Sequence, residues 1–138
     1  MSEPRGGTPK AIALTAETPQ GRQVVQGFRP GGFTIGGVRH DSSVLVHPQG
    51  TVAWEVERLE QLTVETLDPL LEVEPAVEIL LVGAGDRFAP APPALRANLR
   101  ARGVSLEAMD TKAACRTYNL LVAEDRRVAA ALIALGES

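Results

Sequence analysis

The sequence predicts a single α/β domain, and three observations predict it. Between Arg22 and Val56, β-branched and aromatic residues are broken at short intervals by turn sequences, the punctuation of antiparallel hairpins. Glu78-Ile-Leu-Leu-Val82 is a continuous apolar run ending in Gly83-Ala-Gly85, which suits a strand buried on both faces. The residues beyond Gly85 switch from helical to strand period, as a β-α-β unit does.

Residues 1–20 mix Pro, Gly, Thr and Ser with one apolar patch, Ile12 to Leu14, and read as a flexible tail; residues 21–138 form the domain. Arg29-Pro-Gly-Gly32, Gly36-Gly37 and His47-Pro-Gln-Gly50 separate strands expected at Gln23 to Gly27, Gly32 to Ile35, Ser43 to Val46 and Thr51 to Glu55. Glu60 to Val73 then gathers Leu62, Leu67, Leu70 and Leu71 on one helical face, and Pro75 closes that helix. After the strand Ile79 to Val82, Pro92 and Pro93 suit the first turn of a helix over Ala94 to Arg102, and Gly103 ends it. Val104 to Met109 is the next strand, parallel to the first through a right-handed crossover. Asp110 and Thr111 offer N-cap oxygens for a helix through Ala123. Arg127 to Ala134 is ambiguous: its alanines favour helix, whereas Val128, Leu132 and Ile133 suit a strand.

At 138 residues, 44% hydrophobic and 22% charged, the chain has the make-up of one soluble globular domain. Its longest apolar stretches fall short of the roughly 20 residues a spanning helix needs, so no membrane span is expected. The start, Met1-Ser-Glu-Pro-Arg-Gly-Gly, matches neither a secretory signal nor a mitochondrial presequence. A lone Cys115 excludes an internal disulfide and a cysteine-based zinc site from this chain alone, and a reducing cytoplasm is the expected compartment. A net charge of −3 argues against phosphate-driven nucleic-acid binding. The charge is unevenly spread. Eight acids stand between Glu55 and Glu78 against Arg58 alone, whereas Arg87, Arg96, Arg100, Arg102, Lys112 and Arg116 dominate the stretch from Arg87 to Arg116. Such asymmetry can steer a protein partner, including a second copy of the chain as a homodimer, although ordinary solvated helix faces are the simpler reading.

Two loops carry the candidate site. Gly83-Ala-Gly85-Asp86 and the helix start Asp110-Thr111 fall at the carboxyl ends of paired parallel strands, where open α/β sheets bind ligands. The glycines allow close backbone approach, and a helix start offers amides to an anion. Arg116 and Asn119 would add donors, Asp86 and Asp110 acceptors. The spacing matches neither a dinucleotide fingerprint nor a P-loop, so no cofactor is indicated, and a tight strand-to-helix turn is the plainer reading. Thr111, Cys115 and Asn119 recur every fourth residue on one helix face. Cys115 beside Arg116 has the setting of a nucleophile, but no histidine is near to serve as base, and Ala113 and Ala114 point to a buried structural cysteine. His40 and His47 bring no further metal ligands with them and read as surface or turn histidines. Trp54 alternates with Val52 and Val56 as a core or interface anchor. Arg126 and Arg127, after Glu124 and Asp125, suit an ion-pair network that fixes a turn.

The stretch from Met109-Asp-Thr-Lys-Ala-Ala-Cys-Arg-Thr-Tyr-Asn119 to Arg127-Val-Ala-Ala-Ala-Leu-Ile133 closely resembles the C-terminal signature of a domain family of unknown function. That family includes mitochondrial NADH dehydrogenase complex I assembly factor 3 and a human adipogenesis-associated domain protein. The resemblance continues upstream through Gly32-Phe-Thr-Ile-Gly36, Val44-Leu-Val-His-Pro-Gln-Gly50, Trp54 and Glu78 to Gly85, and covers Gly21 to Ile133. It implies a three-layer α/β fold with a mixed central sheet whose last strand runs antiparallel to its neighbours, and thus a strand at Arg127 to Ala134 and a β-α-β-α-β C-terminal half. Lys112, where the family often has a small residue, and Asp125, where it often has glycine, depart from the pattern at two turns. The resemblance implies no established reaction; it implies a non-enzymatic interaction or assembly module with a protein partner, and the absence of a presequence pattern at the start points to a bacterial cytoplasmic counterpart. The alternative is a small-molecule or anion-binding protein, or a weak enzyme, using the cleft.

With one cysteine and two separated histidines, the chain should fold without metal. A chelator in excess is expected to leave the melting temperature unchanged in a thermal scan.

Overall fold

The computed structural model describes residues 12–13 and 21–136, so most of the expected tail lies outside the described residues. The first sheet is antiparallel and follows chain order: β1 (Ile12–Ala13), β2 (Val25–Arg29), β3 (Gly32–Ile35) and β4 (Val38–His40). β2 begins two residues later than its sequence pattern suggests, because the backbone of Gln23 is taken elsewhere: its N–H donates to the Pro48 carbonyl and its carbonyl accepts from Tyr118 Oη. β4 was not expected. Gly36 and Gly37 both take positive φ, 57° and 81°, as a two-residue hairpin turn requires, but the strand they open leaves Val38 and Arg39 exposed and so carries no alternation.

The second sheet contains β5 (Ser43–His47), β6 (Gly50–Trp54), β7 (Ile79–Gly83), β8 (Ser105–Met109) and β9 (Val128–Leu132), in the order β6-β5-β9-β7-β8. β7 is parallel to both β8 and β9, while β9 is antiparallel to β5. The expectation that the last strand opposes its neighbours therefore fails on the β7 side. A 13-residue helix carries the chain back to its starting edge before β9, and such a crossover returns a parallel strand.

The helices are α1 (Asp68–Leu71), α2 (Pro93–Ala101) and α3 (Thr111–Ala123). α2 joins β7 to β8 and α3 joins β8 to β9 in the opposite lateral direction, so crossovers of one hand place the two helices on opposite faces. The core is divided accordingly. On one face Leu80, Val82, Leu106, Ala129 and Ala131 pack with Leu95 and Leu99 of α2 and with Trp54, Leu67 and Leu70. On the other, Val44, Leu81, Ala130 and Leu132 pack with Ala114, Cys115, Tyr118 and Val122 of α3 and with Phe28, Phe33 and Ile35 of the small sheet. Three layers result. Each fully buried Leu, Ile or Phe adds about 1.5–3 kcal/mol.

The helix expected over Glu60 to Val73 is absent. Two 3-10 turns, Leu59–Gln61 and Glu65–Leu67, precede the four-residue α1. Thr63 and Thr66 exchange side-chain and backbone hydrogen bonds that compete with helical ones, and Trp54 Nε1 donates to the Thr66 carbonyl at 2.8 Å. Pro69 lacks an N–H and stands in the first turn of α1, where none is needed. Leu62, Leu67 and Leu70 are buried nonetheless, so the apolar face survives without the helix.

α3 also stitches the small sheet to the large one. Tyr118 Oη donates to the Gln23 carbonyl at 2.8 Å, and Arg22 Nη1 to the Val122 carbonyl at 3.2 Å. The buried Asn119 amide accepts from Val25 N–H at 2.9 Å and donates to Val25 C=O at 2.8 Å. Asn119→Ala leaves both backbone groups buried and unpaired, and should cost about 2–4 kcal/mol in urea denaturation without changing the folded-state circular dichroism.

Candidate functional site

The chain reverses its lateral direction at β8, so the loops leaving β7 and β8 pass to opposite faces at the carboxyl ends of these strands, the edge where open α/β sheets bind ligands. The two expected loops meet there. Ala84 N–H donates to the Met109 carbonyl at 2.8 Å, and Thr111 N–H to the Gly85 carbonyl at 2.9 Å. The Thr111 hydroxyl accepts from Gly85 N–H at 2.9 Å and donates to the Ile133 carbonyl at 2.7 Å. Ile133 N–H in turn donates to the Gly83 carbonyl at 3.0 Å. A Cβ on Gly83 would lie 2.8 Å from Thr111 Oγ1 and 2.9 Å from its Cα, so glycine lets the helix start press against the strand end. The amides of Ala84, Gly85, Thr111 and Ala113 are thus bonded within the chain.

The other expected site residues separate. Asp110 caps α3, accepting from Ala113 N–H at 2.9 Å. Asp86 is exposed and accepts from Gly136 N–H at 3.2 Å. Arg116 is exposed on α3, and Asn119 is spent on β2. Cys115 is fully buried, and that burial pushes its thiol up to about 12 against a weaker opposing pull from Arg116. A thiol held neutral in this way is no nucleophile. What the loops leave open is their rim: Arg87 is exposed, and Phe88 is 63% exposed.

Sequence reasoning did not find a concavity of about 300 Å³ at the opposite end of the strands, lined in part by Arg22, His47, Gln49, Glu74, Asp125 and Arg126. Burial lowers the proton affinity of His47 there. The ion pairs at this end reach outward and do not fix the turn 124–127 locally, contrary to expectation: Arg22 pairs with Asp125 and Arg127 with Glu78, each at 2.7 Å. Asp125 itself takes a positive φ of 64°, which asparagine, aspartate and glycine tolerate best. His40, at the end of β4, lies on the other sheet from His47.

Because the unfolded thiol ionises near 9.0 while the native one stays protonated to about 12, native Cys115 binds more protons across that window. Stability should be full below pH 9 and fall by up to about 1.4 kcal/mol per pH unit above it. Denaturant melts of wild type and Cys115→Ala between pH 8 and 11 check this, the variant falling less steeply; native labelling with a thiol reagent at pH 8 should be far slower than for free cysteine.

A family model described as "Protein of unknown function (DUF498/DUF598)" matches residues 25–133. The NADH dehydrogenase (ubiquinone) 1 alpha subcomplex assembly factor 3 of Xenopus tropicalis is 36% identical over 109 residues, covering 79% of this chain and 60% of its own length. The human protein of that name is 33% identical over 109 residues, 59% of its length. The chain therefore spans about 60% of the assembly factors it matches. An uncharacterized Rhodobacter capsulatus protein is 36% identical over 79% of this chain and 82% of its own. Among solved structures, an outer membrane protein from Bartonella henselae superposes with a TM-score of 0.76 at 35% identity, covering 83% of this chain and 97% of that one. A Mth938-like domain from Bordetella pertussis gives 0.75 at 33%, covering 92% and 95%. With a family model matching nearly all of its described residues, the chain belongs to the DUF498/DUF598 family of proteins of unknown function.

Proposed function

We propose that this chain is a non-enzymatic protein-interaction module with an assembly role, and that the exposed loop after β7, at Asp86 to Phe88, is part of its contact surface. One observation carries the reading. The amides of Ala84, Gly85 and Thr111 and the Thr111 hydroxyl are occupied by the chain itself, whereas Phe88 stands exposed beside Arg87 and Asp86. An aromatic side chain among charged neighbours is the composition of a protein contact, and filled amides are a poor receptor for a small anion. The names of the relatives support an assembly role, and the buried, neutral Cys115 speaks against the weak-enzyme alternative.

The test uses the full chain, tagged and purified from its source cell. We expect NADH dehydrogenase subunits to accompany the wild-type chain and Phe88→Asp to lose them at an unchanged melting temperature, since the side chain is largely exposed. A cell lacking the chain should assemble less NADH dehydrogenase, restored by wild type and not by the variant. Normal assembly in that cell, with nothing accompanying the tagged chain, would refute the reading.

A further inference from the structure

β8 is an edge of the five-stranded sheet, paired with β7 in continuous parallel register from Ile79↔Ser105 to Gly83↔Met109. Successive residues of a strand turn their backbone groups to opposite edges. Ser105 N–H donates to the Glu78 carbonyl and the Met109 carbonyl accepts from Ala84 N–H, so Ser105, Glu107 and Met109 present their backbone to β7. Leu106 and Ala108 therefore present theirs outward, where among the described residues no strand pairs with them. The outward Leu106 carbonyl is met instead by the Arg96 guanidinium of α2. A groove of about 270 Å³ runs beside this edge, lined by Arg96, Arg100, Gly103 and Ser105 among others.

We infer that the β8 edge receives an extended acidic segment of a partner protein by strand addition, with Arg96 and Arg100 reading the acids; this rests on the protein-interaction reading above. Main-chain pairing supplies the affinity in this mode, and side chains at alternate positions supply specificity. Leu106 and Ala108 belong to the face of the sheet that α2 covers, whereas Glu107 alternates to the other face and is exposed. The acids of the added strand therefore fall on its α2 side, at every second residue, and neutral residues fall on the Glu107 side. Arg96 acts as a placeholder: an arriving N–H takes over the Leu106 carbonyl and frees the guanidinium to pair with a carboxylate. The opposite edge, β6, is followed directly by the acid-rich segment from Glu55 to Glu78, which repels the same ligand.

The probe is a synthetic peptide alternating glutamate and threonine, titrated into the full chain and followed by amide NMR. The Leu106 and Ala108 amides should shift and become slower to exchange, and affinity should fall about tenfold when glutamine replaces glutamate or when Arg100→Glu is used. Ala108→Pro removes an outward N–H without touching the ladder to β7, and should abolish binding. If that variant does not fold, the Arg100→Glu charge reversal decides alone. Unchanged β8 amides at millimolar peptide, or equal affinity for the glutamine peptide, would overturn the inference. So would a concentration-dependent rise in mass that Ala108→Pro or Arg100→Glu abolishes, since a second copy of the chain would then occupy the edge. In the pull-down, β8 variants that keep a partner lost by Phe88→Asp would overturn the edge assignment and leave the interaction reading standing. A wild-type chain recovered alone would refute the interaction reading, while the peptide titration still decides the edge.

Discussion

The hydroxyl of Thr111 holds the architecture in register. It accepts from the loop after β7 and donates to the backbone beyond β9, while its own residue begins α3. Two parallel strands and the helix that covers one face of them are thereby fixed at one buried atom. Each strand end would otherwise leave a polar group in a dry environment, and a hydroxyl is the smallest side chain that both donates and accepts. The close approach of Gly83 to Thr111 belongs to the same junction.

Much of this was legible in the sequence, because β7, α2, β8 and α3 each combine an unambiguous period with a chemical stop: Gly83, Pro93, Gly103 and Asp110. The apolar positions of Glu60 to Val73 were legible as buried, but not the backbone that buries them. Leucine spacing reports which residues face inward, whereas the Thr63–Thr66 bonds and the reach of Trp54 from the end of β6 to the Thr66 carbonyl decide the local conformation. β4 was silent because an exposed three-residue strand has no face to alternate. At the candidate site, the sequence located the two loops on one edge. It did not reveal that Thr111 turns inward, since its acceptor at Ile133 lies 22 residues later on a strand the residues left ambiguous.

That ambiguity has a physical source in the alanines. Ala129, Ala130 and Ala131 are fully buried and divide between the two cores, with α3 packed on one face. A central strand sandwiched this closely needs small side chains on both faces, so a composition that favours a helix in isolation serves a sheet once tertiary packing is counted. The charge distribution likewise gains meaning only in three dimensions. The acids follow β6 in the chain, whereas Arg96 and Arg100 of α2 line the groove beside β8, at the other edge of the same sheet.

The amide of Asn119 takes up both the N–H and the C=O of Val25, as a neighbouring strand would. β1 pairs at Gly27 and Phe28. Between them, a two-residue strand and one helical side chain finish the rim of the small sheet. An unfinished rim is a template on which other chains can add a strand, and the backbone groups of Val25 would otherwise stand unpaired there. By lending a single residue's worth of strand, α3 denies that template to other copies. A conservative-looking exchange at Asn119 therefore bears on the protein's colloidal fate in a crowded cell as well as on its fold.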